Sequence, residues 1–133
     1  MGVEAVSVLL DTHAALWLVQ GDTRLSTTAR DRISALGRDG IFISDLMLFE
    51  LGVLVSKQRV VIAGPLGPFL RDFSSHFRVL PVDAEIAAMA VELALPQADP
   101  FDRIFVATAR RHKLPIVTRD REIRESALVE TIW

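Results

Sequence analysis

Short apolar runs and helix-forming stretches alternate along this chain, and that alternation limits the fold more than any other feature. Val6 to Leu10 is a nearly continuous apolar run that stops at Asp11, the pattern of a strand buried on both faces. A helical stretch follows through Ala14, Leu16, Trp17 and Leu18. A second helix is expected from Ser26 as N-cap, with Ala29, Ile33 and Leu36 on one face and Gly37 as its stop. Ile41 to Ile43 reads as another strand, and Asp45 to Lys57 is long and apolar enough for a buried helix. Further strands are expected over Phe77 to Val82, Pro115 to Thr118 and Val129 to Trp133. Between them fall a helix capped by Asp83, with Ile86, Ala90 and Leu93 on one face, and a helix that opens at Asp99-Pro100 and runs to about His112. Gly64-Pro65-Leu66-Gly67-Pro68 reads as a turn cluster. Strands alternating with helices call for a parallel sheet covered on both faces. The expected fold class is therefore α/β: a single three-layer α/β/α domain over residues 1–133, with a central parallel sheet of four or five strands.

A chain of 133 residues, half of them apolar, buries a core without staples. With no Cys, disulfides, thiolate nucleophiles, iron–sulfur clusters and Cys-ligated zinc are excluded. No apolar stretch reaches the roughly 18 residues of a membrane helix. Met1-Gly2-Val3-Glu4 lacks a basic leader region, and Val6 stands where a myristoylation motif needs Ser or Thr. A soluble, unprocessed, cytoplasmic protein is expected. Positive mean hydropathy fits either a deep core or an apolar interface, with Trp17, Trp133 and Val60 to Ile62 as the candidates for partial exposure.

In open parallel sheets, ligands sit beyond the carboxyl ends of the strands, so the acids at those positions carry the functional argument. Asp11 directly follows the first strand, and Thr118-Arg119-Asp120 follows the fourth. Each Asp also suits a helix N-cap. Asp99-Pro100-Phe101-Asp102-Arg103 is a helix start, with Asp99 as N-cap, Pro100 at N1 and Asp102 at N3, and one turn brings the two carboxylates to one site. Glu50 is the only charged residue from Leu46 to Val55. An ionised carboxylate among such neighbours needs an arginine, a metal ion or a shared acidic site.

Acids gathered in one cleft repel one another and persist by taking up protons or cations. Carboxylates without Cys or paired His are ligands for Mg²⁺ or Mn²⁺, and acids around such ions are apparatus for phosphodiester hydrolysis. The net charge of −2 conceals an uneven distribution. Setting Asp11, Glu50, Asp99, Asp102 and Asp120 aside leaves 12 of the 17 acids against 15 bases, so the rest of the chain carries +3, enough for phosphate contacts with a nucleic acid. Thirteen of those bases are Arg. His13, His76 and His112 lack metal-ligand spacing, and Ser44 and Thr118 lack a nearby His base. Arg103 suits either a substrate phosphate or a salt bridge, and Arg110-Arg111-His112-Lys113 the cationic last turn of a helix. Two other classes fit less well. An aspartyl phosphatase usually needs a second acid where His13 stands. The other is a non-catalytic or phosphoacceptor interaction module with an acidic pocket; a receiver-type phosphoacceptor would need adjacent acids around the first strand, for which Glu4 is too early, and a Lys where Arg119 stands.

Leu9-Leu10-Asp11-Thr12-His13, Leu25-Ser26, Ile43-Ser44 leading to Phe49-Glu50-Leu51, Asp99-Pro100-Phe101-Asp102-Arg103 with Ala107 and Ala109, and Val117-Thr118-Arg119-Asp120 form an ordered set that spans nearly the whole chain. In that set the chain resembles the PIN-domain ribonucleases, and within them the VapC toxins of toxin–antitoxin pairs. The resemblance implies a PIN-like fold and Mg²⁺-dependent endoribonuclease activity on RNA. It implies Asp11, Glu50 and Asp102 as the main acidic triad, with Asp120 as a fourth catalytic acid and Asp99 as a further metal-site acid. Thr12, Ser44 and Thr118 would be polar support beside substrate, with Arg103 as a further substrate-binding candidate. It also implies a cognate antitoxin and a homodimer. Two positions depart from the pattern: Gln97, where many relatives carry His, and Asp45, where a small apolar residue is common.

Overall fold

Among the described residues five short parallel strands form one sheet in the order β3-β2-β1-β4-β5. They are β1 (Val8–Leu10), β2 (Ile41–Ser44), β3 (Arg78–Leu80), β4 (Ile116–Val117) and β5 (Thr131–Ile132). The computed structural model describes residues 7–96 and 98–133; Val6 and Gln97 lie outside them. Val8, Leu9 and Leu10 are fully buried, as a central strand requires. Leu9 pairs with Phe42 on one side and Ile116 on the other, and Leu10 with Val117. This register aligns the ends of β1 and β4 and sets Asp11 and Thr118 side by side on the carboxyl edge.

Among the described residues seven α-helices flank the sheet: α1 (Thr12–Gln20), α2 (Thr27–Ser34), α3 (Leu46–Ser56), α4 (Leu66–Ser74), α5 (Ala84–Glu92), α6 (Pro100–His112) and α7 (Arg121–Ser126). Side-chain caps on Asp11, Ser26, Asp83, Asp99 and Asp120 start five of them. The architecture is the expected α/β one, with five strands.

Several local expectations are corrected. β3, β4 and β5 are shorter than the apolar runs that announce them, whereas β2 runs one residue past its expected end, to Ser44. Helix α2 ends at Ser34, before Gly37. The turn cluster at residues 64–68 instead opens α4. Pro65 precedes that helix and Pro68 lies in its first turn, where backbone N–H groups have no intrahelical acceptor to lose. Helix α3 is not a buried helix. Met47 and Leu51 are buried, but Phe49 is 64% exposed and most other positions are half-buried. Trp17 is buried, whereas Val61 is 88% exposed. Among the described residues no helix is long and apolar enough to cross a membrane.

Candidate active site

Helices that pack antiparallel to the strands present their N-termini to the sheet's carboxyl edge. Asp11 caps α1 by accepting from the Ala14 N–H at 2.9 Å. Asp99 caps α6 through the Asp102 N–H at 2.8 Å, and Asp120 caps α7 through the Ile123 N–H at 3.0 Å. All three also line one cavity of about 350 Å³, together with Glu50 and Asp102. Capping and site formation are thus two uses of the same side chains. The helix that best seats an Asp cap also delivers that carboxylate to the strand ends, and the positive ends of the helix dipoles partly offset the gathered charge.

Two threonines fix the deeper acids. Asp11 is 8% exposed, and its Oδ2 accepts from Thr118 Oγ1 at 2.5 Å. Thr118 Oγ1 in turn accepts from the Asp120 N–H at 3.0 Å, so one hydroxyl ties the ends of β1 and β4 to the start of α7. Thr12 Oγ1 donates to Glu50 Oε1 at 2.5 Å and holds the carboxylate of α3 toward α1. Thr12 lines the cavity; Thr118 is fully buried behind it.

The acids are held in an environment that resists their ionisation. Burial pushes the Asp102 carboxyl up to about 8, and Asp99, Asp120, Asp11 and Glu50 add like-charge repulsion. Burial raises Asp11 as well, against the hydrogen bonds from Thr118 and Ala14. It also raises Glu50, against the bond from Thr12 and with repulsion from Asp99 and Asp11. Among the described residues none of the five cavity acids forms an ion pair with Lys, Arg or His. Among the described residues the concentrated charge is met by no direct ion pair, although His13 lies close enough to favour ionised Asp11.

That donor set, hard carboxylate oxygens with one imidazole and no sulfur, suits Mg²⁺ or Mn²⁺. Among the described residues no three acidic or imidazole side chains converge closely enough to cage an ion by themselves. The arrangement fits an ion held by one or two carboxylates that keeps several waters.

Three residues predicted to bind substrate do not line the cavity: Arg103, Ser44 and Thr118, the last fully buried and hydrogen-bonded to Asp11. Arg103 does not line the cavity. Its guanidinium donates to the Ala90 carbonyl at 2.9 Å, to Val91 at 2.8 Å, to Leu93 at 2.9 Å and to Leu95. It clamps the end of α5 and the following loop onto α6, which corrects its placement as a substrate-binding group. Ser44 is fully buried and accepts from the Leu46 N–H at 3.2 Å, a local cap on α3 outside the cavity lining. Asp45 accepts from the Val82 N–H at 3.2 Å and joins the ends of β2 and β3. Sequence reasoning gave no site role to Trp17 and Arg119, which line the cavity beside His13. Their only signal was position: Arg119 lies between Thr118 and Asp120.

A parallel α/β sheet with acids gathered at its carboxyl edge defines an α/β domain with an acidic cleft. The sequence pattern of the PIN domain matches residues 8–128, and the chain belongs to the PIN-domain family. It is 36% identical over 121 residues to Ribonuclease VapC22 of Mycobacterium tuberculosis, covering 89% of this chain and 90% of that protein. A toxin–antitoxin complex from Klebsiella pneumoniae contains a chain of the same fold, with a TM-score of 0.67 and 25% identity over 92% of this chain and 95% of that one. DNA-bound VapBC from Salmonella typhimurium gives a TM-score of 0.70 at 20% identity, over 95% and 96% of the two chains.

Proposed function

We propose that the protein is a Mg²⁺- or Mn²⁺-dependent endoribonuclease and the toxin of a toxin–antitoxin pair. It would act in the cytoplasm, hydrolyse RNA phosphodiester bonds with water and form no covalent enzyme intermediate. The carrying observation is the cavity itself: five carboxylates from four separate segments, three of them pushed up from their ordinary values by burial, and none paired with a cation among the described residues. Acids so placed exchange protons for a divalent ion at neutral pH. The similarity to Ribonuclease VapC22 supports RNA as the substrate class, and the Klebsiella toxin–antitoxin complex supports an antitoxin partner.

In this reading one or two of Asp11, Glu50 and Asp102 hold the ion directly and the others reach it through its waters, Asp120 completes the acidic ring, and Asp99 serves as cap and outer acid. A divalent cation held there supplies the positive charge that a phosphodiester needs beside these acids and activates water for attack. Thr118 and Thr12 favour the ionised forms of Asp11 and Glu50 against burial and keep both carboxylates aimed. The low exposure of Asp11 limits its freedom to turn away. The exposed Phe49, stacked 6.2 Å from Phe101 on α6, supports a homodimer that covers this face.

The test is cleavage of labelled RNA by the purified protein with Mg²⁺ or Mn²⁺, against EDTA, for the parent and for Asp11→Asn and Asp102→Asn. Both variants are expected to keep the circular-dichroism spectrum of the parent and to lose cleavage by at least about a hundredfold. Parent-rate cleavage by either variant overturns the site assignment. Absence of divalent-ion binding by calorimetry would favour a non-catalytic module with an acidic pocket.

A further inference from the structure

Arg119 is a cation placed among five acids that pairs with none of them. It lines the acidic cavity, yet among the described residues its side chain makes no ion pair and no hydrogen bond. It is held by an indole instead: Cζ lies 4.7 Å from the centroid of Trp17. Trp17 is 3% exposed and packs against His13 at 5.5 Å and Trp133 at 6.0 Å between ring centroids, so the support is rigid. Arg24 uses the same ring, with Cζ at 5.1 Å, but its charge is taken by Asp22 at 2.8 Å. The backbone on both sides of Arg119 is fixed as well. The Thr118 N–H donates to the Ile132 carbonyl at 3.2 Å, and Asp120 is bound to Thr118 and caps α7.

A guanidinium stacked on an aromatic face keeps its in-plane N–H groups free, and those groups match a phosphate. A second cavity of about 350 Å³ shares His13 and Trp17 with the first. Leu16, Leu54 and Val60 give it apolar walls, and Arg59 and Arg24 line it too. A polynucleotide leaving the acids would therefore meet a free cation first, and then a recess apolar enough for a base and basic enough for the next phosphate.

We infer that Arg119, seated on Trp17, holds the phosphate adjacent to the cleaved bond and directs the flanking nucleotide into the cavity lined by Arg59. The inference rests on the RNA-cleaving reading above and adds a substrate-binding residue to it. Binding is measured by anisotropy of a fluorescein-labelled single-stranded RNA of random sequence, across a salt series, with Ca²⁺ as the divalent ion. Arg119→Ala is expected to weaken binding about tenfold and to lower the slope of log K against log salt by about 0.7, the value for one lost phosphate contact on a single strand. Arg119→Lys keeps the slope and recovers part of the affinity, because it retains the charge without the planar fork. Arg111→Ala, which removes an exposed charge from the opposite end of α6, is expected to change neither. An Arg119→Ala protein with parent affinity and slope, or an equal loss in Arg111→Ala, overturns the assignment. Cleavage of RNA by the parent with Mg²⁺ separates the two levels. If the parent cuts and Arg119→Ala binds normally, only Arg119 falls; if the parent neither cuts nor binds, the nuclease reading falls with it.

Discussion

Replacing Asp102 with Asn should make the metal-free protein more stable at pH 8 and leave it unchanged near pH 4. The Asp102 carboxyl titrates at about 8 in the folded chain, against an ordinary 3.8. Between those values the folded chain keeps a proton that the unfolded chain has released. The difference in bound protons makes stability fall as pH rises through this window and level off above about pH 8. A shift of this size corresponds to at most about 6 kcal/mol. The side chain is only part-buried, so solvent screening reduces that to about 2–3 kcal/mol. Asn has nearly the same shape, cannot ionise and relieves the repulsion on Asp11, Glu50 and Asp120. Thermal melts in EDTA should therefore place Asp102→Asn about 6–10 °C above the parent at pH 8, with the two curves meeting near pH 4. Saturating Mg²⁺ should raise the parent's melting temperature and close much of the gap, because an ion that binds only the folded state adds its binding free energy to stability. Equal melting temperatures in EDTA at pH 8, or parent stability that rises from pH 5 to pH 8, would refute the claim that like charge and burial dominate this pocket.

Thr12→Val removes the donor that favours ionised Glu50, so Glu50 should hold its proton more tightly. The acid limb of the pH–rate profile for RNA cleavage should move to higher pH, with a loss of about tenfold or more at neutral pH. Thr118→Val should act in the same direction on Asp11. It should also cost about 1–3 kcal/mol in urea denaturation, because it leaves the part-buried Asp120 N–H without its acceptor. Arg103→Ala frees four main-chain carbonyls at the α5–α6 junction and should cost about 2–4 kcal/mol. Arg103→Lys should recover less than half of that. In both Arg103 variants, cleavage per folded molecule at low temperature should match the parent, which a substrate-binding arginine would not allow.

The residues that were legible in the sequence are those whose place follows from the strand ends. A buried apolar run that stops on Asp, followed by helix, can be laid out in one way in a parallel sheet: the Asp sits on the carboxyl edge and caps the next helix. Asp11 and Asp120 met both conditions and met each other, through Thr118. Asp99 and Asp102 were fixed by Pro100, which marks the first turn of α6, and Glu50 stood out as a lone charge among apolar neighbours. Side chains whose direction depends on tertiary partners were not legible. Arg103 stands beside Asp102 in sequence, but a guanidinium has five donors, and four carbonyls at the end of α5 and beyond draw it away from the acids. The family resemblance implies a place for Ser44 beside substrate, yet its buried hydroxyl accepts from the Leu46 N–H and lies outside the cavity lining. Arg119 was legible only as a neighbour of Asp120, because its function depends on Trp17, more than a hundred residues away in sequence.

The exposure of α3 follows from the same logic. Its apolar sequence predicts burial, and the domain buries only Met47 and Leu51, since one narrow stripe is all a helix on the outer layer can turn to the sheet and its neighbours. Phe49 therefore stays in solvent one residue before Glu50. If the proposed homodimer covers it, the dimer and the cavity share one helix, and loosening one should loosen the other. Phe49→Ala should then convert a dimer to a monomer by light scattering and lower cleavage at the same time, while Asp102→Asn removes cleavage and leaves the dimer intact. A monomeric parent, or a Phe49→Ala protein that remains dimeric, would separate α3's apolar face from assembly.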